Sequence, residues 1–133
     1  MWFRVDPRLP TPVYQQIVDG VKTAVAKGIL PPGERLPAVR EMASFMTLNH
    51  NTVAKAYQQL ERERVIEVLR GRGTFVSELG SVPNREERKR KMADTIKQLL
   101  VEAHHLQMTN DDLLQMVQQE LCLWTAERGR NDA

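Results

Sequence analysis

The chain has 133 residues, 41% hydrophobic and 27% charged, which suits one ordinary domain or a small domain with an appendage and excludes collagen-like or low-complexity chains. No run approaches the ~18 uninterrupted apolar residues of a membrane span, and the opening Met-Trp-Phe-Arg-Val-Asp lacks the basic-then-apolar layout of a signal peptide. One cysteine, Cys122, cannot close an internal disulfide, so a reducing, cytoplasmic setting is expected, and a formal charge of +2 does not by itself announce a nucleic-acid partner.

Residues 1–10, with Pro7 and Pro10, read as an extended arm. From about Thr11 to Lys27, apolar residues at Val13, Ile17, Val18, Val21, Ala24 and Val25 recur at three- and four-residue spacing, predicting an amphipathic helix. Thr11-Pro12 offers a cap followed by proline at the first helical position, and Gly28 a stop. Ile29-Leu30-Pro31-Pro32-Gly33 forbids continuation. A second helix is expected from about Pro37 to Phe45, burying Val39, Met42, Ala43 and Met46. A third is expected from about Asn49 to Glu63, burying Val53, Ala56, Tyr57 and Leu60. So short a separation predicts a helix-turn-helix, with Thr47 standing where such motifs usually carry the turn glycine.

After Arg64 the texture changes. Val65–Leu69 and Gly73–Ser77 are strand-like, and Arg70-Gly71-Arg72 makes a tight turn between them, so a β-hairpin is expected. A helix-turn-helix followed by a hairpin is a winged helix. Turn-like composition from Gly80 to Asn84 places a boundary, dividing residues 1–80 from 81–133. Asn84 is a fair N-cap for a helix to about His105, with Met92, Ile96, Leu99, Leu100 and Ala103 as its apolar stripe. Thr109 with Asp112 three residues on suggests a capping box. It would open a last helix with Leu113, Leu114, Met116, Val117, Leu121 and Trp124 apolar, fraying from Gly129. The expected fold is therefore mainly α: three helices and a β-hairpin wing, then a short two-helix tail. Two such helices cannot enclose a core alone, so they need the first domain or a second copy of the chain. A dimer would bury Ile96, Leu99, Leu100, Leu113, Leu114, Val117, Leu121 and Trp124.

The third helix opens with Asn49, His50, Asn51 and Thr52, and Lys55 follows one turn on. Short hydrogen-bonding side chains of this kind suit base edges and phosphates in a major groove. Arg40 can reach a phosphate or fork onto a guanine. Arg70 and Arg72, flanking Gly71, suit a minor groove or a backbone. Each has a plainer reading: Asn49 as a helix cap, Arg40 ion-paired with Glu41 or Glu34, the hairpin tip as charged surface. Their combination favours DNA. Arg88-Lys89-Arg90-Lys91 is expected to be a solvated helix face, with contact to DNA backbone near the linker as the alternative, and the methionines read as core filler. His104 and His105 diverge by about 100° on a helix, so with Cys122 they form no metal site. The sequence carries no nucleophile–base pair, phosphate-cradling loop or metal set, so no enzyme, metal or cofactor is expected.

Three ordered blocks then fix a resemblance. Pro32-Gly33-Glu34-Arg35-Leu36-Pro37-Ala38-Val39-Arg40-Glu41-Met42-Ala43, Asn51-Thr52-Val53 through Leu60, and Arg70-Gly71-Arg72-Gly73-Thr74-Phe75-Val76 resemble the GntR family of bacterial transcription regulators, over roughly residues 10–77. The resemblance implies DNA contacts at Arg40, at Asn49, His50, Asn51 and Thr52, and at Arg70 and Gly71, with Arg35 and Lys55 as phosphate neighbours. His50 departs from the family, many members carrying arginine there, as does Ala54, where some carry a basic contact. The short tail resembles the YtrA-type subfamily, which implies a homodimeric repressor on a pseudo-palindromic operator, often of a neighbouring transporter operon. Any small-molecule effector would then lie at the dimer interface or beneath the wing. The competing reading is a winged helix that binds proteins rather than DNA.

Overall fold

The first apolar repeat folds as helix α1, Val13–Ala26, in the computed structural model, which describes residues 2–78 and 83–132. Its inward face, Ile17, Val18, Val21 and Ala24, is almost fully buried. Pro12 occupies the N-cap rather than the first helical position, and no side chain caps the helix, so Thr11 does not play the role expected of it. Its carbonyl is used differently. The buried Gln16 donates from Nε2 to the carbonyls of Thr11 (2.9 Å) and Asp6 (2.8 Å), while its Oε1 accepts from the Asp6 N–H (2.8 Å). One fully satisfied amide thus ties the N-terminal arm to α1. Trp2, Phe3 and Val5 then pack against the core, and a Cβ at Gly20 would overlap Phe3, which explains a glycine in mid-helix despite its cost there.

Helix α2 (Val39–Met46) buries Met42 and Ala43, and α3 (His50–Arg62) buries Val53, Ala56, Tyr57 and Leu60. Both bury the apolar positions that their spacing predicts, with Val39, Met46 and Leu48 packed at the margin. The Tyr57 hydroxyl donates to the Pro37 carbonyl at 2.6 Å, tying α3 to the segment entering α2. Burial, and secondarily the Glu41 carboxylate, raises the Tyr57 pKa well above its ordinary value, so the hydroxyl remains a donor.

The wing is a three-stranded antiparallel sheet in the order β1-β3-β2, formed by β1 (Arg35–Leu36), β2 (Ile66–Leu69) and β3 (Gly73–Val76). Strand β1 is an addition to the expected hairpin. Its partners are Arg35↔Phe75 and Leu36↔Thr74. The hairpin registers Ile66↔Val76 and Leu69↔Gly73, with Arg70-Gly71-Arg72 as its turn. Leu36, Ile66 and Val76 face the core, so the base of the wing is welded to the helices.

The chain divides into two compact units, Met1–Ser81 and Val82–Asn131. The expected division at 80/81, with its turn residues Gly80 and Ser81, lies outside the described residues. In the second unit α4 runs Arg85–His105 and α5 runs Asn110–Asp132. Asn84 does hold the N-cap of α4, but in a left-handed conformation with no side-chain cap bond. The Thr109–Asp112 capping box is present in both directions, at 3.0 and 3.1 Å, and lowers the Asp112 pKa through the N–H and hydroxyl of Thr109. The fraying expected from Gly129 is not found, since α5 continues to Asp132. The methionines also divide: Met42 is core, whereas Met92 and Met116 are exposed.

The helix-turn-helix carries local strain. Thr47, at the end of α2, has φ 54° and ψ 49°, a left-handed conformation that is unfavourable for a β-branched residue. It is held there because the Leu48 N–H closes onto the Ala43 carbonyl at 2.9 Å, ending the helix and turning the chain towards α3. Thr47→Gly removes the strain and is expected to stabilise the fold by roughly 0.5–1 kcal/mol, after the extra backbone entropy of glycine is subtracted. Urea or thermal unfolding measures it; a loss of stability would contradict this reading of the turn.

Candidate nucleic-acid interface

The front of α3 is built by its own cap. Asn49 is extended (φ −63°, ψ 133°), and its Oδ1 accepts from the Asn51 N–H at 2.8 Å. The cap function read as the plainer alternative for Asn49 is thus present, and it leaves the Asn49 amide nitrogen on the surface. His50 and Asn51 are exposed and Thr52 is half-buried, so the first turn of α3 offers an imidazole, an amide and a hydroxyl in succession. Lys55, one turn on, is exposed, and its Nζ lies 3.9 Å from the centroid of the Tyr14 ring in α1. Tyr14 itself is half-buried and packs on the core.

Arg40 lies in the first turn of α2 and is exposed. Among the described residues it makes no ion pair with Glu41 or Glu34. Glu41 is engaged otherwise, its Oε1 accepting from the Ala38 N–H at 3.3 Å to cap α2. Because Tyr57 holds the Pro37 carbonyl, the start of α2, and with it Arg40, is fixed relative to α3.

Arg70, Gly71 and Arg72 are all exposed in the wing turn, which the Arg72 N–H closes onto the Leu69 carbonyl at 3.0 Å. Arg35, also exposed, is drawn into this group by β1. A Cβ at Gly73 would stand 3.3 Å from Arg35 Nε and 3.7 Å from Nη2, so the guanidinium lies across the bare backbone of Gly73. Gly73 also has φ +124°, which side chains rarely adopt. The geometry therefore gathers Arg35, Arg70 and Arg72 on one wing. Gly73 and Tyr14 are two neighbours of these candidate residues that reasoning from sequence does not single out. The Arg-Gly-Arg-Gly run was the signal for the first; the second depends on a tertiary contact that no local pattern announces.

The apolar residues of the second unit are largely uncovered. Ile96, Leu99 and Leu100 on α4, and Leu114, Val117, Leu121 and Trp124 on α5, are exposed, and Leu113 is half-exposed. Ile96 stands at 54%, Leu114 at 59% and Leu121 at 56% exposure, because among the described residues α4 and α5 do not pack along one another. Lys89, Arg90 and Lys91 are exposed. His104 and His105 stack edge to face at 5.4 Å on the surface, and no group of three metal-ligating side chains occurs among the described residues. No described helix is long and apolar enough to cross a membrane.

If Arg35 depends on the bare backbone of Gly73, Gly73→Ala should weaken DNA binding in the native chain and have a much smaller effect on an Arg35→Ala background. Fluorescence anisotropy on a double-mutant cycle measures the coupling; equal losses in both backgrounds would separate the two residues.

The family description "Bacterial regulatory proteins, gntR family" matches residues 13–76, which span the winged helix from α1 to the end of β3. The HTH-type transcriptional repressor YtrA of Bacillus subtilis (strain 168) is 46% identical over 102 residues, covering 77% of this chain and 78% of that protein. Among solved structures, a transcriptional antiterminator from Listeria monocytogenes EGD-e superposes with a TM-score of 0.75 at 32% identity, covering 90% of each chain. YtrA from Sulfolobus acidocaldarius, a GntR-family transcription factor, superposes with a TM-score of 0.63 at 33% identity, over 76% of this chain and 99% of that one. With its winged helix, its wing of arginines and this similarity along most of its length, the chain belongs to the GntR family of bacterial regulatory proteins, which are transcription regulators and not enzymes.

Proposed function

We propose that the protein is a cytoplasmic repressor that binds a pseudo-palindromic operator as a homodimer, with Arg40, Asn49, His50, Asn51, Thr52, Arg70 and Gly71 reading or contacting the DNA. Arg35, Lys55 and Arg72 supply charge to the phosphates. The observation that carries this reading is the pairing of an exposed polar front on α3 with exposed arginines at Arg40 and on the wing that make no ion pair among the described residues. A protein-binding winged helix would instead show apolar residues on the α3 front. Repression is supported by the names of relatives, since the B. subtilis protein is a transcriptional repressor. Regulation of a neighbouring transporter operon is the finer expectation from the YtrA-type resemblance, and an effector site would lie between protomers or beneath the wing.

Dimerisation is supported by what α4 and α5 leave uncovered. Leu114, Val117, Leu121 and Trp124 recur at three- and four-residue spacing along one face of α5. Each large apolar side chain left in water forgoes about 1.5–3 kcal/mol relative to burial. A second copy of the chain offers the same stripe and doubles the recognition elements, which fits an operator with two half-sites.

Two outcomes test the reading. Anisotropy with DNA from upstream of the protein's own gene, beside a scrambled fragment, should show a preference of a hundredfold or more and an affinity that falls as salt rises. Arg40→Ala or Arg70→Ala should cost about 1–3 kcal/mol of the specific binding if either arginine reads a base. Absence of binding to either fragment at low salt would remove the DNA reading. Separately, Ile96→Asp with Leu121→Asp should convert a species of two chains to one in sedimentation equilibrium and weaken operator binding, with the winged helix still folded. A wild-type chain that sediments as a monomer would refute the dimer.

A further inference from the structure

We infer that Tyr14 is a positioning residue of the DNA interface: its ring holds the Lys55 ammonium ready for a backbone phosphate. This inference rests on the DNA-binding reading above and extends it to α1, which that reading leaves out. Lys55 Nζ sits 3.9 Å from the Tyr14 ring centroid, within the range of a cation–π contact. The two partners differ in freedom. Tyr14 packs against the core cluster and is half-buried, whereas Lys55 is exposed. The ring is therefore a fixed platform and the lysine the mobile party. No ion pair engages Lys55 among the described residues.

A free lysine loses much of its side-chain rotamer freedom when it grips a phosphate. A lysine already resting on a ring has surrendered part of that freedom in the unbound protein. The ring face attracts the charge without using a hydrogen-bond donor, because its interaction with the cation is through the quadrupole. All three N–H groups of the ammonium stay available for phosphate oxygens. A carboxylate partner would act oppositely, since DNA would have to displace it. Tyr14 thus orders the cation without neutralising it.

A ring that held Lys55 away from DNA would give the opposite sign, tighter binding on its loss. A phosphate contact operates on any sequence, so the probe is a random-sequence duplex of about thirty base pairs, titrated by anisotropy at several salt concentrations. Wild type, Tyr14→Phe, Tyr14→Leu, Lys55→Ala and Tyr14→Leu/Lys55→Ala are compared, with thermal unfolding confirming that each is folded at the working temperature. Tyr14→Leu should weaken binding about two- to fivefold while keeping the salt slope, because the charge remains and only its ordering is lost. Tyr14→Phe, which keeps the ring, should match wild type. Lys55→Ala should lower the slope by about 0.9 per bound chain, and adding Tyr14→Leu to it should change nothing further.

Unchanged or tighter binding by Tyr14→Leu overturns the inference, as does a loss that persists on the Lys55→Ala background. Wild-type binding with Lys55→Ala indistinguishable from it overturns the inference and leaves the wider DNA reading intact. Failure of the wild-type chain to bind the duplex even at low salt overturns both.

Discussion

The docking of α3 onto α1 and α2 is the constraint on which the DNA-binding unit depends. Ile17 and Val21 from α1, Met42 from α2, and Val53 and Leu60 from α3 are all fully excluded from water, and Leu36, Ile66 and Val76 extend the same core into the sheet. Close packing fixes distances between elements but tolerates small slides along them. The hydrogen bond from Tyr57 to Pro37 removes that freedom, because one buried donor has one acceptor at 2.6 Å. Everything exposed on α2 and α3 inherits its placement from this arrangement. The exposed faces of α2 and α3 are mostly polar, with Phe45 of α2 the large apolar exception at 77% exposure.

Strain is stored in the connections between these elements. Thr47 and Arg64 both adopt positive φ, at 54° and 59°, directly after α2 and soon after α3. In each case the following N–H returns to the helix end, from Leu48 to Ala43 and from Val65 to Leu60, both at 2.9 Å. A glycine would meet either turn at lower cost. The buried core outweighs these local penalties, of about 1–2 kcal/mol each. The second unit shows the reverse balance. Its helices are long and the Thr109–Asp112 box is well made, yet only Ala103 of α4 is buried. Local structure is satisfied there while the apolar stripes are not. This asymmetry is why the first unit is accounted for by its own core, while the uncovered stripes of the second support the dimer proposed above.

Much of the winged helix was legible because its core residues repeat at helical spacing and its strands are β-branched runs about a glycine turn. Strand β1 was not, because a two-residue strand shows no period; only pairing with β3 makes Arg35 and Leu36 a strand. Caps were read one step too simply. Asn84 sits at the cap position of α4, but its left-handed backbone leaves the side chain without a cap bond, and Pro12 rather than Thr11 holds the N-cap position of α1, again with no side-chain bond. Gly129 did not end α5, since an isolated glycine costs a helix only about 1 kcal/mol. Met92 and Met116 read as core because hydrophobicity does not say which surface will cover a residue. At the candidate site the residue types were readable from sequence, while their neighbours were not. Arg35 over Gly73 and Lys55 over Tyr14 join positions far apart in the chain, and only the folded structure brings them together.

The central claim is that one rigid recognition unit acts in duplicate on DNA. Selection of the full chain against a random-sequence duplex pool, followed by sequencing of the retained DNA, tests both halves of it at once. An inverted repeat should emerge, with half-sites separated by one helical turn or a multiple, about 10–10.5 base pairs centre to centre. A single unrepeated motif would contradict action in duplicate, and no enrichment over the starting pool would contradict sequence-specific recognition itself.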